Sequence, residues 1–65
     1  MYNETELAER LVIIKNAGLE DAMILDENYM QLIKGTYNTD ERDQLRILQT
    51  NAKTRVRDLE REHAQ

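Results

Sequence analysis

The sequence has no cysteine, serine, proline, tryptophan or phenylalanine, a single histidine and only two glycines. Without cysteine, disulfides and thiolate metal sites are excluded. One histidine rules out an imidazole-rich metal centre within a single chain. The usual hydroxyl and thiol nucleophiles, serine and cysteine, are both missing, and there is no glycine-rich loop to cradle phosphates. No apolar run approaches the ~20 residues that cross a bilayer. The polar opening has no basic-then-apolar leader. A cytoplasmic protein with no membrane partner is the plain expectation. Strand alternation, internal repeats and low-complexity segments are missing too.

The 65 residues leave room for one small domain, taken as 1–65. A chain of this size buries only about 60% of the surface its unfolded form exposes. Small domains offset that deficit with disulfides, metal or oligomerisation, and here only oligomerisation remains open. The formal net charge of −4 argues against a general affinity for nucleic acid or anionic membrane, though a local basic face is compatible with it.

What is present is helical periodicity. Asp40 to His63 contains neither glycine nor proline, and Leu45, Leu48, Ala52, Val56 and Leu59 recur at steps of three and four residues. Those steps place all five on one narrow stripe of an α-helix. At ~1.5 Å per residue the segment reaches roughly 35 Å. Upstream, Asn3 and Glu6 have the spacing of a capping box, so a first helix is expected over about 4–17. Gly18 is expected to supply a left-handed position just past its end. A second helix is expected over about 20–34, closed by Gly35. Asp26 falls near the edge of its apolar face, which leaves a break there as the alternative to one continuous helix. Asn38 or Thr39 can cap the third helix, over about 40–63. The resulting expectation is all-α: an antiparallel hairpin of the first two helices packed on the longer third, completed by dimerisation.

Catalytic equipment is thin. His63 is the only side chain that titrates near neutral pH, and it lies in a last helical turn, where a cation suits the helix dipole. Asp40, Glu41 and Asp43 are better explained as helix-start residues than as a cation site, which needs oxygens converging from a shaped loop. No catalytic, cofactor or metal residues are assigned, and the chain is expected not to be an enzyme.

The apolar surplus points elsewhere. The first two helices are apolar over more than half their circumference, more than the single stripe of the third can cover. Leu11, Val12, Ile13, Met23 and Met30 are the candidates for an apolar contact, with Val56 and Leu59 meeting their copies across a dimer seam. Arg46, Lys53, Arg57 and Arg61, beside the apolar stripe of the third helix, are candidates for steering or pairing. The expected function is that of a homodimeric, non-enzymatic protein-interaction module: a regulator, inhibitor or adaptor that binds an unidentified partner protein stoichiometrically. The alternative is a small nucleic-acid-binding regulator using the basic flank of the third helix. Asp40, Glu41 and Asp43 stand against it as a helix-turn-helix, because they would open the presumed recognition helix at the end facing phosphates.

Overall fold

The computed structural model describes residues 2–63, so residues 1, 64 and 65 of the expected domain lie outside the described residues. Three helices follow in order: α1 over Glu4–Asn16, α2 over Leu19–Lys34 and α3 over Thr39–His63. No strand occurs among the described residues. α2 runs unbroken through Asp26.

Each helix start has a local cause. Asn3 caps α1, its Oδ1 accepting from the Glu6 backbone N–H at 2.8 Å. The Glu6 carboxylate answers by accepting from the Asn3 side-chain amide at 3.1 Å. Asn38, not Thr39, caps α3, with Oδ1 accepting from the Glu41 N–H at 3.0 Å. The cap of α2 is Gly18, which brings no side-chain hydrogen bond. Its φ of −73° and ψ of 173° are extended, so the left-handed turn expected at Gly18 does not form. The chain leaves α1 through Ala17 in an extended conformation and starts α2 at once. With no residue spare between the helices, Gly18 opens the second instead of closing the first. α2 does end at Gly35, and the Thr36 hydroxyl donates to the Leu32 carbonyl at 2.6 Å, closing the last turn.

α3 is the element that both other helices pack against. Gln49 Nε2 donates to Asp26 Oδ1 at 3.0 Å, so the middle of α2 faces the middle of α3. The short Gly35–Asn38 connection makes that pair antiparallel. α1 meets α3 at both of its ends. Tyr2 and Gln44 exchange two hydrogen bonds, the Tyr2 N–H to Gln44 Oε1 at 3.0 Å and Gln44 Nε2 to the Tyr2 carbonyl at 2.8 Å. At the other end Arg55 Nε donates to the Ala17 carbonyl at 2.9 Å. Residue numbers rise together along the two helices, so α1 lies parallel to α3. α1 and α2 themselves barely touch beyond their turn. The antiparallel hairpin expected of the first two helices is therefore open, and the closely packed hairpin is α2–α3.

The core is small. Ile14, Tyr29, Leu45, Leu48 and Ala52 form its buried cluster, with Tyr2, Leu7, Leu11, Leu25 and Ile33 packed partly against it. Leu48 and Ile14 are 0% and 2% exposed. The expected stripe of α3 thus points inward, Val56 being half-buried and the other four residues buried. The molecule measures 41 × 24 × 13 Å. That thinness leaves the outer faces of α1 and α2 uncovered by the rest of the chain.

Candidate interaction surface

Several large apolar side chains remain in solvent after folding. Val12 is 57% exposed, Ile13 58%, Met23 53% and Ile24 52%. On α1, the core-facing residues Leu7, Leu11 and Ile14 lie within ~60° of one another at 100° per residue, and Val12 and Ile13 project to the far side. On α2, Ala22, Leu25, Tyr29 and Ile33 turn inward, which sends Ile24 outward.

The separation of α1 from α2 gives these residues a common setting. Val12, Ile13, Asn16 and Ala17 line an open groove on the α1 side, and Asp21, Ile24 and Leu25 line it on the α2 side. Val12 and Ile13 also belong to a shallower surface with Thr5, Ala8 and Glu9 on the outer face of α1. The two surfaces are continuous through that shared pair. The Asn16 side-chain amide donates to the Val12 carbonyl at 2.9 Å, which keeps this polar group on its own helix.

The expected contact residues do not all fall here. Val12 and Ile13 do. Met23 projects about 100° away from Ile24 and faces another side of α2. Met30 is half-buried. Leu11 packs against the core, so it supports α1 from within instead of offering a contact. Leu59 is 9% exposed, and it too is already used by the fold. The cause is the α1–α2 turn, which Arg55 holds against α3 only one helical turn before Leu59. Val56, half-buried, lines a cleft with Asp26, Lys53, Arg57 and Glu60. Ile24, noted above for its outward position, completes the patch that Val12 and Ile13 begin. Its signal was its place opposite Ala22, Tyr29 and Ile33 on the helical wheel.

Arg46, Lys53, Arg57 and Arg61 are all exposed. Lys53 and Arg57 share their cleft with two acids, Asp26 and Glu60. Part of the basic flank therefore faces negative charge within the same chain. Among the described residues no group of three or more metal-ligating side chains converges. No helix among them is long and apolar enough to cross a membrane.

No protein-family model matches the chain, and neither does any curated protein or solved structure at a significant level.

Proposed function

We propose that this chain is a non-catalytic protein-binding module that engages a partner stoichiometrically, as a regulator, inhibitor or adaptor. The observation that carries the reading is the continuous apolar surface of Val12, Ile13 and Ile24 across α1 and α2. Singly exposed aliphatic residues are ordinary on any protein. Three branched side chains, each more than half exposed and sharing one groove, are a patch of the kind that marks interaction sites. Covering what each still exposes is worth about 1 kcal/mol, half the value of burying a whole side chain. That is enough for a cluster of contacts to anchor a partner. Leu59 is buried within the chain, so a homodimer would have to meet through other apolar residues than that one.

Photo-crosslinking in the source cell tests the reading. A photoreactive residue at position 13 or 24 is expected to give discrete protein adducts, while one at Thr50, exposed on the face of α3 opposite its buried stripe, gives none. Absence of adducts at 13 and 24, or equal labelling at 50, overturns it.

A further inference from the structure

The floor of the α1–α2 groove is apolar and the charges beside it are acidic. Asp21 lines the groove, and Glu9 lines the adjoining outer face of α1. Glu20 and Glu27 come four residues before and three after Ile24, the spacings that put side chains on one helix face. All four acids are exposed. The bases of the first two helices are fewer, and one of them, Lys15, shares a cleft with Val12 at the edge of the patch. The Arg10 guanidinium lies 4.5 Å from the centroid of the Tyr2 ring, Lys15 lines the cleft between α1 and α3, and Lys34 ends α2.

A second copy of the chain is a poor occupant for such a groove. Two grooves face to face would set the same acids against one another, and like charges across an interface oppose association. The size is also wrong. Ten residues line the groove and the adjoining face of α1. A stable dimer interface takes roughly 20–30 residues a side. One helix laid along the groove needs no more than is present, and helix-in-groove recognition reads apolar residues at i, i+3 or i+4, and i+7. Resting on the protein-binding reading above, we infer that the occupant is an amphipathic helix of a partner protein, with an apolar stripe for Val12, Ile13 and Ile24 and lysine or arginine on its flanks for Glu9, Asp21 and Glu27.

The test is a displayed library of helices about 16 residues long, enough for four turns. The apolar stripe is held as leucine and the flanking positions are randomised. Selection against the intact chain is expected to enrich lysine and arginine at the flanks. Changing those flanks to glutamate is expected to weaken binding roughly tenfold, and added salt to weaken it as well. The Ile13→Asp, Ile24→Asp double variant is expected to lose the selected peptides while circular dichroism shows its helices intact. Glu9→Lys with Glu27→Lys is expected to reverse the flank preference toward acids. Neutral or acidic flanks from the wild-type selection overturn the inference, as do binders indifferent to Ile13→Asp and Ile24→Asp. Protein adducts at residue 13 without any basic-flanked binder remove this occupant and leave the protein-binding reading standing; failure of both removes both. A crosslinked adduct of twice the chain mass puts a second copy in the groove and overturns the inference.

Discussion

The two helices that pack on α3 are held in different ways. α2 lies antiparallel along it and supplies Tyr29, which is buried with Leu45, Leu48 and Ala52, plus one polar tie between Asp26 and Gln49. α1 lies parallel and is fixed by one deeply buried side chain, Ile14, by the partly buried Leu7 and Leu11, and by hydrogen bonds at its two ends, Tyr2 with Gln44 and Ala17 with Arg55. The α2–α3 seam is continuous, whereas α1 is pinned at points. A helix pinned this way keeps its outer face free, and the exposed patch sits there. The exposure of Val12 and Ile13 and the lighter attachment of α1 have the same origin.

Removing the shared keystone gives the largest expected effect. Leu48→Ala empties a fully buried position, which costs about 2–5 kcal/mol. A chain of this length has about 3–10 kcal/mol of stability in total. Urea denaturation followed by circular dichroism is expected to show the variant mostly unfolded or close to it, and a midpoint within error of wild type means Leu48 is not where the two seams meet. Ile14→Ala sharpens the comparison. It is expected to cost about 2–3 kcal/mol and to act mainly on α1. Hydrogen exchange is then expected to lose protection in α1 ahead of α2 and α3. Uniform loss across all three helices breaks the distinction.

Smaller effects test the pins and the turn. Gln44→Ala removes both hydrogen bonds to Tyr2 and is expected to cost about 1 kcal/mol, seen as a lowered thermal midpoint and faster exchange in the first turn of α1. Gly18→Asp is expected to stabilise by about 0.5 kcal/mol. Gly18 has an ordinary extended conformation, and a Cβ there meets nothing within 4 Å. An aspartate can supply the cap that α2 lacks and narrow the unfolded ensemble. If Gly18→Asp destabilises instead, the turn is not as it is described above.

The helices themselves were legible in the chain. Asn3 and Asn38 mark two starts, Gly35 marks an end, and the steps from Leu45 to Leu59 set the inward face of α3. These are local signals, carried within one or two turns. The partnership of helices was not legible, because α1 has apolar residues around most of its girth and periodicity cannot say which sector meets which neighbour. Gln44 and Tyr2 lie 42 residues apart, and nothing in a polar residue's spacing announces a contact over that distance. Gly18 misled because a glycine after a helix has two uses. Here the next helix begins too soon for the left-handed one. For the candidate surface, Val12 and Ile13 were visible as apolar residues outside the inward sector, whereas Leu11 stands in that sector with Leu7 and Ile14 and Leu59 on the inward stripe of α3, so periodicity already marked both as core.

The barely touching α1 and α2 have a consequence for how the molecule is made. Translation delivers them first, yet neither can shelter the other, so the emerging polypeptide has no stable arrangement until α3 has left the ribosomal exit tunnel. Compaction then comes late and abruptly. An arrest-peptide reporter is expected to register no pulling force while only residues up to Asn38 are outside, and a single force peak once Ala52 has cleared.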